Sequence, residues 1–404
     1  MTPDTNAQPK RVAVIYHYFA HYRQPVLLQL LEHGRHHYEF LANDHSYDTG
    51  IKLTDRIPDE RFHKVAGKFL GPFLFQFGAV KAALGSRYDT LIMLGNPTWP
   101  TTWLAAILGR IRGKQILFWT HGWLKEESGT KALFRTTFNK LAHGLLLYGH
   151  RAKDLAIKAG IKPERLHVIY NSLDCELQDE ARARIQPTDR VETRNKLFAE
   201  HADRPVLINI TRLQPHKRLD LLIDAAAILK EQGKPVNVLI VGDGEERQAL
   251  EQRAQEQDVT AVFTGALYEE YEIGCMLNAA DIAVMPGPVG LLVMHALAYG
   301  VPVITNNNFD TQMPEFEAIK QGLTGDFFTL EDLDSLVASI QRTLDSTTTY
   351  EQRYTQAREP IDHRYNPISQ RILIERAIDG LPADDSFNAA LPSYQLSIQS
   401  EGST

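Results

Sequence analysis

Short, unbroken apolar runs recur along the chain, separated by stretches of helical length. RVAVIYHY (11–18), DTLIMLG (89–95), KQILFWTHG (114–122), HGLLLYG (143–149) and RLHVIYN (165–171) are continuous rather than alternating. That pattern predicts strands buried on both faces. Segments such as TTWLAAILGRI (101–111) lie between them and read as helices. Strands alternating with helices imply a parallel α/β sheet. After a polar, acidic stretch the rhythm restarts with RPVLINI (204–210), NVLIVGDG (237–244), AVFTGAL (261–267), DIAVMPG (281–287) and VPVITNN (301–307).

This rhythm predicts an α/β protein of two doubly wound, Rossmann-like domains facing across a cleft. The expected boundaries are 10–180 for the first domain, 181–203 for a linker with a helix inside it, and 204–365 for the second. A helix at 366–381 is expected to pack back toward the first domain, and 382–404 to be a disordered tail, because it is polar. In open sheets of this kind ligands sit beyond the carboxyl ends of the strands.

Composition narrows the picture. A length of 404 residues is too great for one ordinary core. The two cysteines, Cys175 and Cys275, exclude a disulfide framework and a multi-cysteine metal site, and fit a reducing compartment. The first ten residues have no apolar signal-peptide core, and no apolar run is long enough for a membrane span. A cytoplasmic protein is expected. Charge is uneven: residues 10–170 hold 23 Lys and Arg against 12 Asp and Glu, a balance of +11, whereas 171–404 hold 20 against 37. The first half therefore faces something anionic, and a membrane surface ranks above nucleic acid.

Three stretches of the second half carry candidate chemistry. In TRLQPHKRLDLLIDAAAIL (211–229), Arg212 and Lys217 flank a loop at a strand's carboxyl end. A guanidinium fork and an ammonium point charge suit a diphosphate, although surface charge at a helix start would look the same. In NVLIVGDGEERQALE (237–251), Gly242 and Gly244 permit a tight turn and Asp243 could cap the helix after it. In PGPVGLLVMHALAYGVPVI (286–304), Gly290 permits close approach of backbone. A helix starting near Leu291 would point free N–H groups at an anion.

Together these stretches resemble the nucleotide-sugar domain of retaining glycosyltransferases of the GT-B fold, family four (group 1). The resemblance is strong over 204–330 and includes MPEFEAIKQGLTGDFF (313–328). It is looser in the first half, at THGW (120–123) and VIYNSLD (168–174). It implies that Arg212 and Lys217 bind the donor diphosphate and that Gly290 and Leu291 form the turn beneath it. Glu315 would lie by the sugar and phosphate, and His121 near the donor sugar. Gly242, Gly265, Leu267 and His295 would complete the donor site. The family's usual pair of glutamates, seven residues apart, falls here on Gly287 and His295. Imidazole can donate or accept a hydrogen bond to ribose, but a packed helix residue is an equal reading of His295, and Gly287 has no side chain to offer.

The resemblance implies transfer of a sugar, with retention, from a nucleoside-diphosphate sugar to a glycan or polyprenyl-linked acceptor in bacterial surface polysaccharide assembly. It implies no metal and no cofactor besides the donor substrate. A nucleotide-sugar epimerase and a non-catalytic glycosyltransferase-like subunit are the alternatives. In the first half, His17, His21 and Arg23 of YHYFAHYRQPVLLQLL (16–31) could meet an anionic acceptor or simply pack the loop. KVAGKFLGPFLFQFGAVKAAL (64–84) and KALFRTTFNKLAHG (131–144) set Phe69, Phe73, Phe75, Phe77, Phe134, Phe138 and Leu141 among lysines and arginines. That mixture suits a peripheral position on the inner face of a membrane; packing against the protein's own sheet is the plainer alternative.

Overall fold

A computed structural model of the chain describes residues 8–47, 51–346 and 349–394. The chain divides into two compact units, 1–174 with 363–404, and 175–362. Both are parallel α/β sheets with helical crossovers, the two Rossmann-like domains expected of a GT-B fold.

The first unit contains β1 (Arg11–Ile15), β2 (His37–Ala42), β3 (Phe62–Lys64), a hairpin of β4 (Lys68–Leu70) and β5 (Phe73–Phe75), β6 (Thr90–Leu94), β7 (Gln115–Thr120), β8 (Gly144–Leu147) and β9 (Leu166–Val168). Seven strands form one sheet in the order β3-β2-β1-β6-β7-β8-β9, every pair parallel. The apolar runs bury strand residues on both faces: Leu91, Ile92, Ile116, Phe118, Leu145 and Leu146 are wholly or almost wholly enclosed. β2 escaped the sequence pattern because Glu39 interrupts it; that carboxylate is satisfied by Tyr88 Oη at 2.5 Å and Arg87 at 2.7 Å.

The C-terminal helix Pro367–Ile378 belongs to this unit and lies against helix Gln24–Glu32. Gln370 anchors it, donating to Tyr170 O at 2.7 Å and accepting from Ser172 Oγ at 2.7 Å. Residues 382–394, expected to be disordered, instead carry a short helix, Asp385–Ala389. Asp384 caps it, Asn388 donates to Val168 O at 3.0 Å, and Lys153 pairs with Asp385 at 2.7 Å. Polar composition suggested no structure here, but the order comes from specific tertiary partners, which composition does not report. Residues 395–404 of that expected tail lie outside the described residues.

The second unit contains β10 (Val206–Ile210), β11 (Asn237–Val241), β12 (Ala261–Gly265), β13 (Ile282–Met285), β14 (Val303–Asn306) and β15 (Gly325–Phe328). Their order is β12-β11-β10-β13-β14-β15, again parallel throughout. Helix Leu219–Glu231 turns Leu222, Ile223, Ala225, Ala226 and Leu229 onto the sheet. The stretch 181–203, read as a linker with a helix inside it, holds the end of helix Cys175–Arg184 and the helix Pro187–Phe198. Both fall within the second unit. Arg190 and Arg194 tie the latter to Asp281 at 2.7 and 2.5 Å. Arg358, almost fully buried, ties the former to helix Tyr350–His363 through Asp179 at 2.7 Å, with Asp362 also at 2.8 Å.

Candidate donor site in the second unit

In the second sheet the strand order reverses between β10 and β13, since β11 and β12 lie on one side and β14 and β15 on the other. A crevice beyond the carboxyl ends at such a switch point is where doubly wound sheets bind ligands. The loop after β10 carries Arg212 and Lys217. The loop after β13 is Pro286-Gly287-Pro288-Val289-Gly290. Two stretches distant in sequence are thus brought side by side.

They interlock. The Gly287 N–H donates to Lys217 O at 2.9 Å, and Lys217 Nζ donates to Pro288 O at 2.8 Å. A Cβ built on Gly287 would lie 2.2 Å from His216 O and 2.7 Å from Lys217 Cα. No side chain fits at position 287 while the lysine loop holds its course, which accounts physically for a glycine there. At Gly290 the nearest atoms to such a Cβ are Met313 Cβ and Cγ at 3.9 Å. The close approach expected at Gly290 therefore occurs three residues earlier. Burial lowers the Lys217 pKa, because a half-enclosed ammonium has lost hydration without gaining a carboxylate.

Three buried side chains that no motif pointed to hold the proline-glycine loop in place. Gln312 accepts from Val289 N at 2.7 Å and donates to Asn306 O at 2.9 Å. Asn306 donates to Pro286 O at 2.8 Å, and Thr305 to Met285 O at 2.9 Å. All three are essentially sealed from solvent. Their signal in the sequence is only that polar residues follow the strand pattern at 305–312, where an apolar run would otherwise continue.

Gly242 and Gly244 serve the same assembly. A Cβ on Gly242 would fall 1.8 Å from Thr211 O, and one on Gly244 2.2 Å from Leu213 O. Leu213 N donates to Asp243 O at 3.0 Å, so the glycine turn after β11 is the bed on which the Arg212 loop lies. Asp243 does not cap the following helix: Glu246 occupies the N-cap and Asp243 Oδ1 accepts from Gly244 N at 2.8 Å. Gly265 closes β12 by accepting from Gly242 N at 2.8 Å, and Leu267 follows two residues on, half-buried.

Helix Leu292–Ala298 starts with Leu291 at its N-cap. Its His295 is committed to Glu270: Nε2 lies 2.9 and 3.1 Å from the two carboxylate oxygens. Tyr299 Oη donates to the same carboxylate at 2.9 Å, and burial together with Glu270 raises the Tyr299 pKa. A carboxylate is thus placed beside His295 by helix Glu270–Ala279. Spacing within 286–304 could not reveal it. Glu315 sits in the turn Pro314–Ala318 with only 4% of its surface exposed. The preceding Met313 N donates to Val289 O at 3.2 Å, which attaches that turn to the same loop.

His121 is in the first unit, directly after β7. Its ring lies 4.8 Å from that of Tyr148, at a tilt. Desolvation and then the Arg23 guanidinium press its pKa down to about 4. Its side chain is nevertheless exposed, so the Arg23 charge is the part of that shift independent of burial.

The two βα loops, with a lysine and a helix start, thus meet at the switch point of a Rossmann-like domain. Residues 191–359 match the family model for glycosyl transferases, group 1. A GDP-mannose-dependent alpha-(1-6)-phosphatidylinositol dimannoside mannosyltransferase of Mycobacterium tuberculosis (strain ATCC 25177 / H37Ra) is 33% identical over 104 residues, 25% of this chain and 27% of that protein. An alpha-D-kanosaminyltransferase of Streptomyces kanamyceticus is 26% identical over 181 residues, 43% of this chain and 44% of the relative. The chain thus spans less than half the length of these relatives. Among solved structures, Anabaena HepE in complex with UDP-glucose superposes with a TM-score of 0.66 at 19% identity, over 92% of this chain and 100% of that one. A glycosyltransferase from Rickettsia africae ESF-5 gives 0.70 at 12% identity, over 93% and 99%. At these identities the likeness establishes the fold.

Proposed function

We propose that the protein is a glycosyltransferase that moves a sugar from a nucleoside-diphosphate donor to a glycan or polyprenyl-linked acceptor, with retention, in bacterial surface polysaccharide assembly. The observation that carries this reading is the Lys217 loop locked onto the Pro286–Gly290 loop at the switch point of a group 1 glycosyl transferase segment. Lys217 and Arg212 would neutralise the leaving diphosphate, and the N–H groups of Leu291 and Leu292 would add backbone donors, those of Val293 and His295 being taken by Gly290 O and Leu291 O at 3.0 Å. Their positions are preorganised by Gln312, Asn306 and Thr305, so little reorganisation is needed when charge develops. Gly242, Gly265 and Leu267 would border the nucleotide, and Glu315 and His121 would lie by the donor sugar. His295 would approach the ribose, with Glu270 orienting its imidazole. The UDP-glucose complex of the Anabaena neighbour and the GDP-mannose dependence of the mycobacterial relative support a nucleotide-sugar donor without choosing the base.

A peripheral membrane position belongs to the same proposal. Helices Phe77–Leu84, Pro100–Ile111 and Gly129–Lys140 contain no acidic residue. They expose Phe77 (67%), Ile111 (75%) and Leu133 (68%), together with Phe134 and, from the hairpin, Phe73. Phe138 is wholly buried instead, against Phe118 with ring centroids 4.5 Å apart, so only part of the aromatic set is available to a membrane. Exposed apolar groups among Lys81, Arg110, Lys131 and Lys140 suit the interface of an anionic leaflet. No helix among the described residues is long and apolar enough to cross a bilayer.

Incubation with a panel of UDP- and GDP-sugars tests the reading. Slow release of nucleoside diphosphate, abolished in Lys217→Ala, is expected. Conversion of the donor sugar without nucleotide release would point to the epimerase, and binding without turnover under any acceptor to the non-catalytic subunit.

A further inference from the structure

The first sheet has its own switch point, between β1 and β6. The loop after β1 returns Arg23 to the carboxyl edge of the sheet, and the guanidinium is surrounded by rings. Its Cζ lies 5.1 Å from the ring centroid of Tyr16, 5.5 Å from Trp119, 5.6 Å from Tyr148 and 6.0 Å from Tyr22. These residues come from the ends of β1, β7 and β8 and from the turn His21–Arg23. Cation–π contact stabilises the charge from the ring faces, and of the surrounding phenols Tyr148 also interacts with the guanidinium through its hydroxyl, leaving further N–H donors of the fork to a ligand. No acidic residue is among the groups that act on it; those named are tyrosines.

The surrounding rings have unspent polar atoms too. Tyr16 Oη, Tyr148 Oη and Trp119 Nε1 are buried and have no hydrogen-bond partner, in residues no more than 2% exposed. Buried polar atoms are normally satisfied, so several orphans around one cation are a collective anomaly. All three can donate, as can the guanidinium, and the further titratable neighbours among the described residues include Tyr22 beside Arg23 and the His121 ring against Tyr148. A cluster rich in donors, carrying a positive charge and lacking any carboxylate, is complementary to an anionic oxygen group.

We propose that Arg23, Tyr16, Trp119 and Tyr148 form an oxyanion-binding site in the first unit that takes a phosphate or carboxylate group of the acceptor. The identification of the ligand as acceptor rests on the function proposed above; the site itself does not. An acceptor anion held there would be fixed by a fork of N–H donors, and the phenols would supply directional contacts that discriminate an oxyanion from chloride. The two sources of such a group are a phosphate, as in a polyprenyl-linked acceptor, and the carboxylate of an acidic sugar.

All four tryptophans, Trp99, Trp103, Trp119 and Trp123, belong to the first unit, so intrinsic fluorescence reports this unit alone. The full chain is titrated with sodium phosphate and, separately, with sodium glucuronate, at constant ionic strength made up with chloride. A saturable change is expected with one of the two, and which one names the source. Arg23→Gln is expected to weaken that binding at least tenfold. Tyr148→Phe removes an unpartnered hydroxyl and so should leave the melting temperature unchanged or slightly higher, while weakening binding several-fold; it keeps the test valid if Arg23→Gln misfolds. Linear, non-saturating traces with both oxyanions, or equal affinity in Tyr148→Phe and wild type, would overturn the proposal. Stabilisation by UDP or GDP, which depends on Lys217, is expected to survive Arg23→Gln. Its absence alongside saturable oxyanion binding would defeat the proposed function and leave this site standing.

Discussion

Replacing Gly287 by alanine tests the interlock of the two loops most sharply. The backbone there does not adopt a positive φ, so the effect of a methyl group is steric alone. It would be placed 2.2 Å from His216 O and 2.8 Å from Lys217 C, about 1 Å inside ordinary contact with backbone atoms that no rotamer change can move. Overpacking of this kind costs about 1–3 kcal/mol. Separating the loops also weakens the Gly287 N–H to Lys217 O bond, with a net loss of about 1 kcal/mol. A total of about 2–4 kcal/mol corresponds to a fall in melting temperature of about 4–16 °C for a domain of this size. The same displacement moves Lys217 Nζ off Pro288 O, so affinity for a nucleoside diphosphate should fall even below the melting transition. Gly290→Ala is the internal control: with no neighbour inside 3.9 Å it should change stability by less than about 0.5 kcal/mol. Calorimetry on both variants decides the matter. Wild-type melting and binding in Gly287→Ala, or equal damage from Gly290→Ala, would refute the steric argument. Gly287→Glu, with a longer side chain at the same Cβ, should be at least as damaging as Gly287→Ala.

Arg358→Ala removes the buried cation between Asp179 and Asp362, leaving Asp179 with Arg182 at 3.8 Å, and should cost about 3 kcal/mol, the lower end for a broken buried pair, readable by denaturant titration. With Lys217 as the proposed diphosphate cation, its lowered pKa predicts an alkaline limit to binding: affinity should decline as pH rises through a value below the ordinary lysine pKa of about 10.4. In the ligand-free protein the sign is reversed, since enclosing the charged ammonium costs stability that is recovered as it deprotonates at higher pH. Calorimetric titrations between pH 7 and 10 should show the first effect, and Lys217→Arg should shift that limb upward if it binds. Phe77→Ser combined with Leu133→Ser should reduce co-sedimentation with anionic vesicles several-fold while leaving release of nucleotide from a donor sugar intact.

The sheets were legible because parallel strands enclosed on both faces are continuous apolar runs, as in NVLIV and VLINI. β2 was not, because Glu39 is neutralised by Arg87 and Tyr88, which lie far along the chain. Arg212 and Lys217 could be singled out because cations at a strand's carboxyl end form a local pattern. Glu270 and Gln312 could not, since Glu270 reaches His295 and Tyr299 from another helix and Gln312 reaches the Val289 N–H from beyond β14. The role of Gly287 was also hidden: the sequence records a missing side chain, while the reason lies in the His216–Lys217 backbone pressed against it. The order of residues 382–394 depends on Lys153 and Val168, more than two hundred positions away.

The central claim is that the second unit holds a nucleoside diphosphate between the Lys217 loop and the helix start after Gly290. Thermal shift of the full chain against UDP, GDP and their sugars, with Arg212→Ala and Lys217→Ala in parallel, tests it most directly. A ligand at a hundred times its Kd stabilises the native state by about 2.7 kcal/mol. The account predicts such a shift for one base, lost in both variants; no shift with any nucleotide, or an equal shift in both variants, would contradict it.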